Sequence, residues 1–298
     1  MKKLILFPCL LFLLFLFMLA QNSGGREQAD VIRELSKPAH PSIFMSREDF
    51  YRYLGEQAAI NSETADTESR IICGVVPHHL VASRLIVQFW DMLARQEPEV
   101  IILAGPNHYN LGGKVITGLY DWQTPEGLVK TEAQIVGTLL DKGLAVCDEE
   151  VLSKEHSIGG LLPFIRHFMP QARVVPLIFH HDVSLQEIDA LLAALKPYLD
   201  RGAVLAASVD FSHYLTRREA QDKDELTLRV MRQFDYTTLF KLGNDHLDSP
   251  ASLTLAFRYA QIRDFMEFDI LGHSNSGIIL KNDMMETTSY FTLVFKEK

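Results

Sequence analysis

The sequence predicts an α/β fold, one sheet with helices on both faces, and three observations carry that prediction. From residue 70 onward, short apolar runs alternate with longer segments of helical period. The runs VVPL and VLAASV are apolar without alternation, as strands buried on both faces are. Across 298 residues, 47% hydrophobic and 22% charged side chains are enough to bury a real core. That composition excludes a disordered chain, a collagen-like repeat and a disulfide-stapled miniprotein. With 29 Lys+Arg against 38 Asp+Glu the net charge is −9, and no basic patch stands out. A nucleic-acid partner is therefore not expected.

Residues 1–21 read as a targeting segment, outside the fold. Lys2 and Lys3 precede an apolar run, Leu4–Ala20, broken only by Pro8 and Cys9 and followed by polar Gln21–Gly25. That order fits a cleavable secretory signal or an uncleaved membrane anchor. Either sends the rest of the chain across a membrane, so the expectation is an exported protein or one anchored by residues 4–20. Cys9 lies inside the run instead of after it, which weakens a lipoprotein reading. Residues 22–69 read as a linker and an N-terminal helix. Pro38 and Pro41 mark the linker, and Ser46-Arg-Glu-Asp before Phe50, Tyr51, Tyr53 and Leu54 has the pattern of a capped helix start.

Residues 70–298 form the α/β domain. Strands are expected at Ile71–Val76, Val100–Ala104, Val115–Thr117, Leu144–Cys147, Val174–Phe179, Val204–Val209, Phe268–Leu271 and Tyr290–Phe295. Helices are expected at Val81–Arg95, Thr131–Asp141, Leu185–Leu199 and Arg217–Gln233. Ser157 is placed to cap a helix in SIGGLLPFIRHF, where Gly159 and Gly160 suggest a close backbone approach. Cys73 and Cys147 each sit in an apolar run and read as buried thiols. The export compartment permits a disulfide between them, but spacing alone cannot assign one.

Three of the eleven histidines follow directly on predicted buried strands: His78 after GVVP, His108 after IILAGPN and His213 after VLAASVDFS. In open α/β sheets ligands bind outside the carboxyl ends of the strands. Three imidazoles delivered there make a candidate metal or acid/base site, although any one of them alone reads as a surface loop histidine. Asp210 and Asn107 adjoin them, and a carboxylate beside an imidazole fixes its tautomer. Glu155-His156-Ser157 adds a polar cluster, whereas His180-His181-Asp182 reads as exposed loop. A nucleophile elbow, a phosphate-cradling loop and H-E-x-x-H are all absent from the sequence. A nitrogen-rich, oxygen-flanked site suits iron, zinc or copper better than magnesium or calcium.

The ordered segments PHH, AGPNHYN, EHSIGGLLPF and SVDFSHY, with SNSG at 274–277 before the Tyr290 strand, resemble the Memo family, whose prokaryotic members are called AmmeMemoRadiSam system protein B. The resemblance runs from about residue 70 to the end, and weakly back to about residue 40. It implies a single α/β domain with a mixed central sheet and a metal cleft, like that of the class III extradiol dioxygenases. It also implies His78 and His108 as metal ligands, Asp210 and His213 lining the same cleft, and Glu155 and His156 in the cleft wall. The chain departs from the pattern in two places. PHH-LVAS replaces PHAGY, and Gly159 stands where the EHS segment usually has a second glutamate. The exported N-terminus is likewise unusual for the family.

The family's third ligand is usually a cysteine in CGxxP. The matching stretch is His246-Leu-Asp-Ser-Pro250, and counting back four from Pro250 puts His246 at that position. Asp248 competes for the same role, or caps the following helix together with Ser249.

The leading expectation is a Memo-like protein with one divalent transition metal, iron(II) before zinc or copper. It would act as a redox enzyme on a small molecule, with His213 as general acid/base oriented by Asp210. Two rivals stand beside it. One is a non-catalytic module holding a peptide or ligand in the same cleft, and the other is a zinc-dependent hydrolase.

Overall fold

The structure, a computed structural model, describes residues 38–55 and 69–297. The apolar run 4–20 lies outside the described residues. Among those described, no helix is long and apolar enough to cross a membrane. The chain divides into two units, Met1–Ala39 and His40–Lys298.

In chain order the strands are β1 (Ala39–His40), β2 (Arg70–Val76), β3 (Val100–Pro106), β4 (Val115–Thr117), β5 (Asp121–Thr124), β6 (Gly127–Thr131), β7 (Val146–Cys147), β8 (Arg173–Phe179), β9 (Val204–Ser208), β10 (Asp269–Asn275) and β11 (Ser289–Glu297). Within the second unit the sheet runs β5-β6-β8-β3-β9-β2-β11-β10, with β4 beside β8 and β7 beside β4. The central strands β8, β3, β9 and β2 are all parallel, in register through pairs such as Ile101↔Val174, Leu103↔Ala206 and Val76↔Ser208. Strands β11 and β10 add antiparallel on one side and β4 pairs antiparallel with β8, so the sheet is mixed. This is the α/β sheet the sequence predicts, with the mixed strand directions that the family resemblance implies.

Both faces are covered because successive side chains of a strand point to opposite faces. In β3, Ile101 and Leu103 pack with Ile86, Phe89 and Trp90 of helix Ser83–Ala94. Their neighbours Ile102 and Ala104 pack on the other face with Leu191 and Leu195 of helix Leu185–Leu199 and Phe257 of helix Pro250–Ile262. Fully burying side chains of this size stabilises by roughly 1.5–3 kcal/mol each, which is why uninterrupted apolar runs mark these strands. Helices Leu185–Leu199 and Arg217–Gln233 begin at capping boxes, Ser184 with Glu187 and Thr216 with Glu219. The helix that leaves β2 and the helix that enters β9 lie on opposite faces, which opens a crevice at the carboxyl ends of the strands.

Three local expectations are corrected. The segment SIGGLLPFIRHF is not one helix but two, His156–Gly159 and Leu162–Phe168. Its cap is Glu155, whose side chain accepts the Ser157 N–H, while the Ser157 hydroxyl donates to the Pro106 carbonyl. Cys73 is buried but Cys147 is exposed, because the two-residue β7 lies at the margin of the sheet; both thiols are free. The hairpin β5–β6 has no counterpart among the predicted strands, since Trp122 and Val129 are its only buried large apolar residues.

Candidate metal centre

Three parallel strands deliver the site. Strand β2 ends at Val76, and Pro77 carries the chain to His78. The backbone N–H groups of His78 and His79 donate to Oδ1 of Asp210, at 3.1 and 3.5 Å. Asp210 follows β9 directly, since Val209 N–H still donates to the Val76 carbonyl. Strand β3 ends at Pro106, and Asn107 closes the next loop by bonding both backbone groups of Leu111 through its amide. That loop presents His108.

Glu155 reaches His108 from a separate segment. Its Oε2 accepts the His108 backbone N–H at 2.9 Å, and its Oε1 accepts from His108 Nδ1 at 2.7 Å and from Ser157 N–H at 3.0 Å. Gly105 permits the approach, because a Cβ there would lie 2.6 Å from the Ser157 hydroxyl. Gly159 serves similarly, with the Phe44 ring 2.3 Å from where its Cβ would stand. Burial alone would raise the Glu155 pKa. The hydrogen bonds and charge of His108, with the backbone donors, outweigh it and hold the carboxyl at about 2.

The network fixes both histidine tautomers. The Ser208 hydroxyl donates to the Ser157 carbonyl at 2.7 Å, so its oxygen accepts from His78 Nδ1 at 3.0 Å. His78 therefore carries its proton on Nδ1, and so does His108 against the Glu155 carboxylate. Each ring turns a bare Nε2 lone pair into the crevice. His78 Nε2 stands 3.3 Å from Asp248 Oδ2 and 3.6 Å from Asp210 Oδ2, and His108 Nε2 stands 3.9 Å from Asp248 Oδ2.

Lone pairs thus face carboxyl oxygens with no N–H donor between them, and the electrostatics show the strain. Burial, then the Asp210 charge, pushes the Asp248 carboxyl well above its ordinary range, and burial pushes Asp210 up too. Burial, then neighbouring imidazoles, holds His78 well below its ordinary pKa, so its ring is neutral. Asp248 Oδ1 is buried without a partner. A divalent cation among these atoms would satisfy every one of these groups, and the nitrogen and oxygen donor set suits a transition metal. His78, Asp210 and Asp248 form one group able to hold such an ion, and His78, His108 and His156 form another. His156 stacks on His108 with centroids 4.1 Å apart and is half-exposed.

The structure brings His78, His108, Asp210, Glu155, His156 and Asp248 together, with Asn107 bracing the loop. It does not bring His246. That imidazole bonds Thr227 Oγ1 at 2.9 Å through Nδ1 and lies 3.3 Å from Lys223 Nζ through Nε2. Asp248 stands in the crevice instead, because residues 247–248 run back along the strand end. Leu247 bridges to Phe211, Asp248 N–H donates to the Asp210 carbonyl, and Asp210 N–H donates to Asp248 Oδ2. Ser249, not Asp248, caps the following helix, with Pro250 in its first turn.

His213 stands at the edge of the crevice with Nδ1 buried and unpaired. No hydrogen bond joins it to Asp210, whose Oδ1 accepts the His78 and His79 N–H groups instead. Ser208, Ser157 and the buried Tyr290, whose hydroxyl lies 2.7 Å from His79 Nδ1, have parts that sequence reading did not assign. The one available signal was Ser208, a polar residue closing an otherwise apolar strand. His180, His181 and Asp182 form a more exposed group on the next loop.

A family model for Memo-like proteins matches residues 45–294. The chain belongs to the Memo family. A MEMO1 family protein of Metallosphaera sedula is 28% identical over 180 residues, 58% of this chain and 64% of that protein. The Pyrobaculum aerophilum member is 28% identical over 235 residues, covering 74% and 82%. The Methanopyrus kandleri member is 27% identical over 249 residues, covering 78% and 86%. The chain thus spans just under two thirds of the first relative and over four fifths of the other two. The uncharacterized protein JW3007 from Escherichia coli K12 has the same fold, with a TM-score of 0.50 at 14% identity, covering 75% of this chain and 98% of that one.

Proposed function

We propose that this Memo-family protein binds one divalent transition metal, iron(II) before zinc, and uses it in redox chemistry on a small molecule. The observation that supports it is the pair of Nε2 lone pairs, fixed by Ser208 and Glu155, that face two buried carboxylates. His78, His108 and Asp248 would hold the ion, with Asp210 beside them. The lack of a thiolate in this set disfavours copper(I). When bound, the ion would polarise a substrate oxygen or activate O₂. The protein's own part is to orient and to move a proton. Burial holds His213 below its ordinary pKa against the pull of Asp210, so its ring is neutral and can accept a proton. The Lys2–Ala20 pattern supports a further part of this reading, export or membrane anchoring; N-terminal sequencing of the fractionated protein tests it.

Elemental analysis of the purified protein tests the metal reading. Near-stoichiometric iron or zinc is expected in the wild type and its loss in His78→Ala. Full metal retention in that variant would sink the proposal. Zinc alone, with hydrolysis and no redox turnover on a substrate panel, would favour the hydrolase reading.

A further inference from the structure

We propose that the cavity beside the metal centre takes a small molecule whose body, beyond the group that grips the metal, is uncharged and is anchored by His180. The inference rests on the metal reading above and adds the ligand's chemical class. The cavity holds about 400 Å³, within the range of small-molecule sites. His108 and Asp248 line one part of it, so a ligand there reaches the metal-facing edge. Phe179, Phe240 and Leu242 supply apolar wall, suited to a ring or a short alkyl body.

Charge decides what can enter. Among the described residues, the lining contains no lysine or arginine. Asp248 is in the wall, and Asp210 and Glu155 lie directly behind it. Three carboxylates exceed the charge of one divalent ion, so an anionic group on the ligand's body would find no unpaired positive charge and would lose its hydration.

Part of the polar wall is committed. The Asn107 amide is spent on Leu111, and Asn110 Oδ1 accepts the His181 backbone N–H at 2.9 Å. His180 differs. Its Nδ1 accepts the Asp182 backbone N–H at 3.1 Å, which leaves Nε2 as the ring's N–H donor. That N–H has no partner among the described residues, and the ring lines the cavity with 17% of the side chain exposed. An oriented donor beside this apolar wall recognises an acceptor, such as a carbonyl or ether oxygen.

Three hydroxamates test this by calorimetric titration of the zinc-loaded protein, each gripping the metal through the same group. They are benzohydroxamate, its 4-carboxamide and its 4-carboxylate. The amide should bind the wild type about fivefold tighter than the parent, the worth of one neutral hydrogen bond. The carboxylate should bind at least about tenfold weaker than the amide. His180→Phe should erase the amide's advantage while the parent hydroxamate and zinc bind as before, and His180→Gln, which keeps an N–H donor, should restore part of it. A carboxylate that binds as tightly as the amide, or an amide advantage that survives His180→Phe, overturns the proposal. A wild type that takes up no zinc overturns the underlying metal reading instead, and shows at the loading step.

Discussion

Glu155 and Asp248 are two carboxylates of one crevice, with side chains 1% and 5% exposed, yet their protons behave in opposite ways. Glu155 is held at about 2, whereas Asp248 is pushed well above its ordinary range. Burial acts on both in the same direction, so donors make the difference. Glu155 receives two backbone N–H groups and an imidazole N–H. Asp248 receives the Asp210 N–H, faces two bare imidazole nitrogens and leaves Oδ1 unpaired. One carboxylate is satisfied by the protein and orients His108. The other keeps an unpaired oxygen in the group that could hold a cation.

The sharpest way to break this comparison is Asp248→Asn, which keeps shape and removes charge. Metal affinity should fall by well over ~100-fold, beyond the range seen when an outer carboxylate is lost. The metal-free protein should move the other way and gain about 1 kcal/mol at neutral pH, because an ill-matched functional charge is gone. The sign in pH follows. The folded pKa of Asp248 lies above its unfolded value of ~3.9, so folding takes up a proton between the two. In EDTA, wild-type stability should therefore fall as pH rises through that window, and Asp248→Asn should lack that slope in urea melts. Equal slopes in both proteins would remove Asp248 as the metal-seeking carboxylate.

Glu155→Gln should act less on the metal and more on the fold. Metal affinity is expected to drop about 10–100-fold as His108 loses its fixed tautomer. Stability should drop about 1–3 kcal/mol, since the amide nitrogen must face N–H donors. Here the folded pKa, about 2, lies below the unfolded value of ~4.3. The contribution of Glu155 is thus whole above ~4.3 and is lost as pH falls through about 2, opposite in sign to Asp248. A Glu155→Gln protein with wild-type acid unfolding would contradict the assignment.

The same pair shows how far the crevice was legible in the sequence. His78, His108 and Asp210 could be found because each comes one to three residues after an apolar run, so the strand end gives the place of the side chain. Glu155 was legible as part of EHS, but not as the residue that fixes His108, since that contact joins segments 47 residues apart. Asp248 lost to His246 by spacing, because the loop's path is set by the Leu247–Phe211 bridge. No local period records that pairing. Strand and helix spans in the central sheet were legible for the same reason as the histidines, and the β5–β6 hairpin was not because little of it is buried.

The smallest expected effect belongs to His246, and it separates counting from geometry. If position in the motif decided the ligand, His246→Ala would empty the site as thoroughly as His78→Ala. The imidazole instead bonds Thr227, approaches Lys223 and lies 3.9 Å from the Asp245 carboxylate, on the side of helix Arg217–Gln233. Burial and the Lys223 charge hold it below its ordinary pKa, so it is a neutral hydrogen-bonding partner there. Its removal should cost about 1 kcal/mol of stability, the worth of one such bond. Metal content and zinc affinity should match the wild type when measured on the same preparations. A His246→Ala protein that purifies without metal while remaining folded would mean that this loop moves His246 into the crevice when the ion binds, and that Asp248 only holds its place until then.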